Sequence, residues 1–357
     1  MKIALDATPL TIASGGIRRY TEELSRALAA AFPDDEFWLL SDGHFEPPAG
    51  APPNLKVGRG PRNVLERRWW LWGLQGEISR LGVDLFHGTD FAVPYLPIRP
   101  SVLTLHDLSP WMSASWHAEA DRVRSRTPML LRLGLASMVI TPSEAVRRQA
   151  MERFRLPAGR VVATPLAASG HFQPVAAARE GPPYLLYVGT LEPRKNLGML
   201  LDVWRQVRKS HVIDLVLAGR RREDFPEIKP EAGLRLMGLT KEEDLPALYS
   251  GALACVYPSY YEGFGLPVLE AMQCGAAVIA SSDPAIAEVA ADAALLLDVR
   301  DPAAWVEALL GLLSQPDRVP PMREKSLARA SEFSWTKTAK LTREVYGQAV
   351  RRFRKKT

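Results

Sequence analysis

The chain has 357 residues, of which 47% are hydrophobic and 24% are charged, and its formal net charge is +5. This length predicts two domains, and the composition is typical of a globular protein that stays in the cytosol. No window of eighteen apolar residues occurs, which excludes a membrane-spanning helix, and Asp6 ends the first apolar run too early for a signal peptide. Cys255 and Cys274 each lie alone in apolar sequence, so we expect buried thiols. The positive charge permits contact with nucleic acid or anionic lipid, but a charge run is more often a solvated face, and we expect no nucleic-acid partner.

Short apolar segments alternate with longer helical patterns along the whole chain, which predicts an α/β fold of parallel sheets with crossover helices. The stretch between residues 167 and 183 has few large apolar residues and is the best linker candidate. We therefore predict two Rossmann-like domains facing a central cleft, at residues 1–172 and 183–333, followed by a helical segment at 334–357. The predicted strands are 2–6, 36–40, 54–57, 83–87, 101–105, 137–141 and 160–164 before the linker, and 184–189, 212–218, 233–237, 252–256, 276–280 and 293–297 after it.

Two motifs follow strand ends in the first domain. Gly15 and Gly16 come after the first strand and open a helix, where a glycine pair lets the backbone approach a ligand closely. A plain strand-to-helix turn explains this pair equally well. His106 and Asp107 come just past the strand at 101–105, at the edge where Rossmann-like domains bind ligands. A lone His at a strand end is usually structural, but this position and the adjacent Asp favour a functional role.

In the second domain, the string at 187–196 leaves the first strand and enters a helix. Arg194 and Lys195 lie near the helix start, where the helix dipole disfavours cations unless an anion is bound. Arg can grip phosphate with two hydrogen bonds and Lys supplies a point charge, so a diphosphate is the natural ligand. Two solvated surface cations are the alternative interpretation.

The stretch at 257–275 is a loop that runs into a helix. Gly263 and Gly265 give the backbone freedom, and a proline in the first turn predicts a helix that starts near Leu266. Glu262 lies in the loop and Glu270 in the predicted first turn, on either side of free amides that attract phosphate. This pattern predicts a ligand made of nucleotide, diphosphate and sugar, with Glu270 on the ribose and Glu262 near the sugar. The simpler reading is that Glu262 caps the loop and Glu270 is a solvated helix residue.

This string, in which seven residues including Gly-Phe-Gly-Leu-Pro separate the two glutamates, closely resembles the signature of the retaining glycosyltransferases of family 4, which have the GT-B fold. The resemblance covers nearly the whole chain and implies that the last helix crosses back to the first domain. It also implies that the glycine loop touches the donor phosphate, that the His contacts the transferred sugar, and that Leu239 packs on the base, although ordinary core packing explains Leu239 equally well. The implied catalytic residues are His106, Asp107 and Glu262, and the implied donor-binding residues are Gly15, Gly16, Gly189, Thr190, Arg194, Lys195, Leu239, Gly263, Phe264, Gly265, Leu266 and Glu270.

The sequence departs from the commonest family pattern in two places. Thr190 occupies the position where an Arg usually follows the strand-end Gly189, whereas Lys195 matches the family's Lys. We expect Arg194 to take over the missing phosphate contact. The Pro-Leu-Ala-Ala string at 165–168 replaces a Pro-Asn-Gly-type turn and leaves the role of that loop open.

The resemblance implies transfer of a hexose from a nucleoside diphosphate sugar to an acceptor hydroxyl with retention of the anomeric configuration. The motif strings are most similar to those of bacterial mannosyltransferases of polysaccharide assembly, so GDP-mannose is the expected donor and a saccharide or lipid-linked saccharide the expected acceptor. No two aspartates are separated by one residue, so we expect neither a metal nor another cofactor. Two rivals remain, a nucleotide-sugar 2-epimerase on the same fold and a non-catalytic sugar-nucleotide-binding protein. An NAD oxidoreductase is disfavoured because no Gly-x-Gly-x-x-Gly follows a strand.

Residues 62–81 interleave arginines with three tryptophans on a predicted helix of the first domain. An interfacial helix that meets a lipid-linked acceptor has this composition, which predicts peripheral contact with the inner face of the membrane. The alternative is a core helix with an inward stripe of Leu65, Trp69 and Trp72.

Overall fold

A computed structural model describes residues 1–12, 15–117, 120–176 and 181–355. The chain divides into two compact units. Unit 1 comprises Met1–Leu166 together with Ser334–Thr357, and unit 2 comprises Ala167–Phe333. Each unit is built around one parallel sheet with helices in the connections, which confirms the predicted α/β class and the Rossmann-like character of both.

Unit 1 contains a sheet of seven parallel strands. They are β1 Lys2–Asp6, β2 Glu36–Leu40, β3 Leu55–Val57, β4 Leu85–Gly88, β5 Ser101–Thr104, β6 Met138–Thr141 and β7 Val161–Ala163. The helices are α1 Gly16–Ala31, α2 Leu74–Leu81, α3 Ser109–Met112, α4 Asp121–Arg132, α5 Glu144–Phe154 and, at the far end of the sequence, α12 Trp335–Arg354. The strand order is β3-β2-β1-β4-β5-β6-β7, so the direction of winding reverses between β1 and β4. In such sheets, ligands bind at the carboxyl ends of the strands beside this reversal.

Unit 2 contains a sheet of six parallel strands. They are β8 Tyr184–Val188, β9 Asp214–Ala218, β10 Leu234–Gly238, β11 Ala254–Tyr257, β12 Val278–Ser281 and β13 Leu295–Leu297. The helices are α6 Leu197–Arg208, α7 Leu245–Gly251, α8 Leu266–Gln273, α9 Pro284–Ala290, α10 Pro302–Ser314 and α11 Val319–Ala330. The order β10-β9-β8-β11-β12-β13 reverses between β8 and β11. The loops that follow these two strands carry the motifs at 187–196 and 257–275, so the topology brings them to one edge of the sheet.

Every predicted strand is present, and the differences lie at the strand ends. The first strand matches residue for residue, whereas the fourth begins at Leu85 rather than at residue 83. The buried strands contain many aliphatic residues, as is typical of sheets that are covered on both faces. Cys255 and Cys274 are both buried free thiols, as expected.

The segment after Leu166 belongs to unit 2, so the predicted boundary at residue 172 lies inside that unit. The physical reason is that hydrogen bonds from the Gln273 side chain hold this segment against unit 2. The Gln273 Nε2 donates to the carbonyls of Ser169 and Phe172 at 2.9 Å each, and the Phe172 ring is buried.

Helix α12 is part of unit 1, where it packs against α1. Its Thr338 hydroxyl donates to the Pro165 carbonyl at 2.6 Å, and Arg343 pairs with Asp35. The Tyr346 hydroxyl bonds to His87 Nδ1 at 2.7 Å inside the core. None of the helices in the described parts of the chain is long and apolar enough to cross a membrane.

Candidate active site

The loop after β11 enters α8 through Gly265, where the backbone conformation requires glycine. Gly265 caps the helix with φ +93°, in the left-handed region that residues with a Cβ rarely adopt. The helix starts at Leu266 with a proline in its first turn, as predicted. Pro267 has no amide hydrogen, and the Val268 amide donates to the Gly265 carbonyl at 2.9 Å, so Leu266 supplies the first helical amide that is left without a partner in the helix. Phe264 is buried and packs edge-on against Phe333, with the ring centroids 6.0 Å apart. The loop that carries Gly263 is thereby anchored to the core of unit 2.

Glu262 is the centre of a charged cluster in this loop. Its Oε1 accepts from Lys195 Nζ at 2.6 Å and its Oε2 from Arg194 Nη1 at 3.0 Å. Burial alone would raise the pKa of this carboxyl, but the two adjacent cations lower the pKa to about 2. Glu262 is therefore ionised throughout the physiological range.

Arg194 is held by protein acceptors on several sides. Besides Glu262, its guanidinium donates to the Tyr261 carbonyl at 2.6 Å and to Glu192 Oε1 at 2.8 Å. The second Glu192 oxygen accepts from Arg222 Nη1 at 2.9 Å. Arg222 Nη2 also donates to Asp224 Oδ2 at 2.8 Å, so three cations share three carboxylates in this network. Arg194 fixes the loop around Glu262, and its predicted phosphate contact stays a prediction.

The start of the 187–196 motif is shaped by its backbone. Gly189 has φ +147°, and the Tyr187 hydroxyl donates to the Thr190 carbonyl at 3.1 Å. Asn196 adopts a left-handed conformation, with φ +55°, between a 3₁₀ turn and α6. Lys195 consequently lies in the turn before the helix and not on the helix itself.

Two other predicted donor residues lie in environments that the sequence did not indicate. Glu270 is the fifth residue of α8, beyond the first turn in which we placed it, and it is only 1% exposed. Its Oε2 accepts from the Tyr249 hydroxyl at 3.1 Å, so the reading of Glu270 as a solvated residue is wrong. Leu239 follows β10 and is 65% exposed, so core packing does not explain it. Their contacts with ribose and base remain predictions.

In unit 1, the glycine pair begins α1. Gly15 is the N-cap with φ +138°, and Gly16 is the first helical residue. No atom lies within 4 Å of the position that a Cβ would take at either glycine, so conformation and not crowding requires Gly15. The neighbouring Ser14 lies outside the described residues.

His106 has a defined tautomer. Its Nε2 lies 2.7 Å from the Thr89 carbonyl, which can only accept, so Nε2 carries the proton and Nδ1 presents a lone pair. The rings of Tyr20 and Phe91 pack edge-on at 4.8 and 5.8 Å. Burial lowers the pKa of His106, so the imidazole is neutral at pH 7.

Asp107 has a structural task at the start of α3. Its Oδ1 accepts from the Ser109 amide at 2.8 Å and from the Ser109 hydroxyl at 2.6 Å. One carboxylate oxygen therefore holds the turn that leads into α3. The predicted catalytic role of Asp107 is not tested by these contacts.

An acidic group that no sequence motif indicated lies at the same edge of the unit 1 sheet. Asp90 follows β4 and lies beside Asp6 at the end of β1, and burial, with the Asp6 charge, raises the pKa of Asp90 to about 7. Within the described residues, Asp90 Oδ1 and the buried Arg126 Nε have no hydrogen-bond partner. The rule that polar residues just after parallel strands line the ligand edge could have identified Asp90. No group of three or more metal-ligating side chains is assembled within the described ranges.

Comparisons with known proteins agree with this architecture. Residues 171–331 match the family model described as Glycosyl transferases group 1, and residues 14–168 match that of Glycosyltransferase Family 4. O-antigen chain mannosyltransferase B from Escherichia coli is 31% identical over 390 residues, which cover 97% of this chain and 99% of that protein.

Solved structures share the fold at low identity. Sucrose-phosphate synthase from Thermosynechococcus elongatus has a TM-score of 0.76 at 23% identity, covering 97% of this chain and 98% of that one. Anabaena Alr3699/HepE, solved in complex with UDP and glucose, has a TM-score of 0.70 at 17% identity, covering 97% and 99%. Together with the family matches, these likenesses identify the chain as a glycosyltransferase of family 4 with the GT-B fold, similar to bacterial mannosyltransferases.

Proposed function

We propose that this enzyme transfers mannose from GDP-mannose to a hydroxyl of a saccharide or lipid-linked saccharide in polysaccharide synthesis, with retention of the anomeric configuration. The observation that carries the proposal is the cluster at the carboxyl edge of unit 2. It combines Lys195 and Arg194 with Glu262, which lies in the loop that leads into α8. The choice of sugar is supported by the full-length likeness to a mannosyltransferase.

The chemistry required on the donor side is stabilisation of a leaving group. Negative charge grows on the nucleoside diphosphate as the glycosidic bond breaks, and charges fixed in advance lower the barrier most effectively. Lys195 and the positive end of the dipole of α8 can supply that stabilisation without a metal ion. Glu262 orients Lys195 and offers a carboxylate to the hydroxyls of the sugar. Glu270 accepts hydrogen bonds from the ribose.

On the acceptor side, unit 1 supplies neutral hydrogen-bonding groups. His106 presents Nδ1 as an acceptor for a sugar hydroxyl, and the glycine pair at the start of α1 allows close approach of a ligand to the backbone. If the acceptor is carried on a lipid, the enzyme works in peripheral contact with a membrane.

The test is a screen of donor turnover across nucleotide sugars, with and without saccharide acceptors. We expect GDP release to be fastest with GDP-mannose, to rise when an acceptor is added, and to survive excess chelator. NMR of the product should show the same anomeric configuration as the donor. Conversion of donor alone into a 2-epimer would identify an epimerase, and binding without turnover of any donor would identify a binding protein. Abolition by chelator with rescue by magnesium or manganese would overturn the metal-free mechanism.

A further inference from the structure

The segment at 62–72 of unit 1 carries large apolar side chains on its surface. Val64 is 80% exposed, Leu65 is 70% exposed and Trp72 is 56% exposed, whereas Trp69 is buried. The alternative prediction, a core helix with Leu65, Trp69 and Trp72 facing inward, is therefore wrong for Leu65 and Trp72. Trp69 anchors this segment by packing into a core cluster of unit 1, and the partly buried Trp70 packs against the same cluster.

The exposed side chains are presented by an ordered turn. The Glu66 carboxylate accepts from the Arg62 amide at 2.7 Å and from Asn63 Nδ2 at 2.9 Å, and Asn63 Oδ1 accepts from the Glu66 amide at 2.9 Å. A π-helix at Trp69–Gly73 follows. A Cβ on Gly73 would lie 2.2 Å from the Glu66 carbonyl, so only glycine permits this close packing. The turn thus holds apolar side chains in contact with water. The hydrophobic effect would favour packing of these side chains onto the core if nothing else covered them.

A second exposed apolar segment adjoins this turn. Gln75 Nε2, one turn after Trp72, donates to the Leu96 carbonyl at 3.0 Å. Leu96 and Ile98 are both exposed and are followed by Arg99. We call the combined set the basic apolar surface. Its members are Val64, Leu65, Leu71, Trp72, Leu96 and Ile98, together with Arg62, Arg67, Arg68 and Arg99.

The charges of this surface have one sign. All four arginines are exposed, and within the described residues none of their guanidinium groups forms an ion pair. The one carboxylate of the turn, Glu66, is engaged with backbone and Asn63. A second copy of the chain docking through the same surface would bring like charges together, which is unfavourable.

We propose that the basic apolar surface binds a bilayer rich in anionic lipid. Tryptophan and aliphatic side chains enter the boundary between headgroups and acyl chains, and arginines bind lipid phosphates at the same depth. This inference assigns residues to the membrane contact that the proposed function includes. It rests on that function only for the biological purpose of membrane binding. Binding itself is measurable without turnover, so the two proposals can fail separately.

The experiment is flotation of the full chain with two kinds of vesicle, one of phosphatidylcholine alone and one with about a third phosphatidylglycerol. We expect binding to the anionic vesicles, weakened by salt, and much weaker binding to the neutral ones. Equal binding to both kinds, or binding to neither, would overturn the proposal.

Variants then assign the binding to this surface. Arg67→Gln with Arg68→Gln should weaken binding to anionic vesicles roughly 25-fold, at about fivefold for each arginine near the surface. Leu71→Ser with Trp72→Ser should weaken binding at least about tenfold. The matched control is Val212→Ser with Leu236→Ser, an exposed apolar pair of unit 2, which should bind as the unaltered chain does.

Two results would overturn the assignment. One is vesicle binding by the Leu71/Trp72 variant equal to that of the control. The other is a dimer in lipid-free solution, seen by analytical ultracentrifugation, that the same variant abolishes, because the surface would then serve self-association. Circular dichroism of each variant at matched temperature establishes that the fold is retained.

Discussion

The two sheet edges that carry the candidate site differ in the charge state of their buried side chains. In unit 2, Glu262 is ionised with a pKa of about 2 and is paired with cations at hydrogen-bond distance. In unit 1, burial raises the pKa of Asp90 to about 7 and of Asp6 to about 6, and burial lowers the pKa of His87 to about 3. The two adjacent cations keep Glu262 charged, although burial raises the pKa of the neighbouring Asp283 of unit 2 to about 6. The three groups of unit 1 shift towards their neutral forms.

This difference in charge state indicates which kind of ligand each sheet edge can bind. A departing diphosphate gains charge and needs fixed cations, which unit 2 supplies. Sugar hydroxyls gain no charge until late in transfer and are recognised by neutral donors and acceptors, such as the Nδ1 of His106. We therefore propose that unit 2 binds the diphosphate of the donor and that unit 1 contributes neutral groups to the sugars.

The largest expected effect on turnover comes from removal of Lys195, the cation of unit 2 that is bonded to Glu262. Lys195→Ala should lower kcat by about two to three powers of ten, comparable to the loss of one preorganised donor. The matched control is Lys209→Ala, which removes an exposed lysine after α6 and should leave kcat unchanged. Steady-state kinetics with GDP-mannose measures both, and a similar kcat for the two variants would contradict the charged role of this edge.

Neutralisation of Glu262 sharpens the comparison. Glu262→Gln keeps the shape but removes the charge, and kcat should fall about a hundredfold because the carboxylate orients Lys195 and faces the sugar. Affinity for free GDP should stay equal or increase, because no anion then competes for the two cations. Calorimetry measures the affinity, and a loss of GDP binding as large as the loss of turnover would show that Glu262 does not face the sugar.

Glu270 tests the nucleotide end of the same edge. Glu270→Gln should weaken binding of GDP and of GDP-mannose alike, by about 1.5–3 kcal/mol, because the ribose contacts occur in both. Tyr249→Phe removes one hydrogen bond between the protein and this carboxylate and should cost less than about 1 kcal/mol of ligand affinity. Unchanged calorimetric affinity in Glu270→Gln would exclude the ribose role.

The smallest effect concerns the neutral edge of unit 1. Because the pKa of Asp90 is raised from 3.8 to about 7, folding favours its protonated form, and its contribution to stability is lost as pH rises from about 4 to about 7. Asp90→Asn should therefore flatten this pH dependence and raise the free energy of unfolding at pH 8 by about 1 kcal/mol. Denaturant titrations at pH 5 and pH 8 measure it, with the exposed Asp34→Asn as control. A variant that loses stability equally at both pH values would show that the carboxylate has a purely structural role.

Local patterns in the sequence predicted most of the architecture. Runs of aliphatic residues gave all the strands, and the glycine and proline of the 257–275 stretch gave the start of α8 at Leu266. The contacts within the site could not be predicted in this way. Arg194 bonds to the Tyr261 carbonyl, 67 residues away, and Asp90 meets Arg126 through the packing of α4. Such distances depend on tertiary structure, which no short motif encodes.

The return of α12 to unit 1 has a consequence for how the protein is made. Unit 2 is one uninterrupted stretch of chain, whereas unit 1 is completed only by residues that follow it. During synthesis, the whole of unit 2 leaves the ribosome before Tyr346 and Arg343 do, although domains usually fold in the order in which they emerge. His87 and Asp35 therefore lack these two partners until the residues that follow unit 2 have emerged. A chain that ends at residue 333 and has been released from the ribosome should therefore contain a protease-resistant unit 2 and a protease-sensitive unit 1.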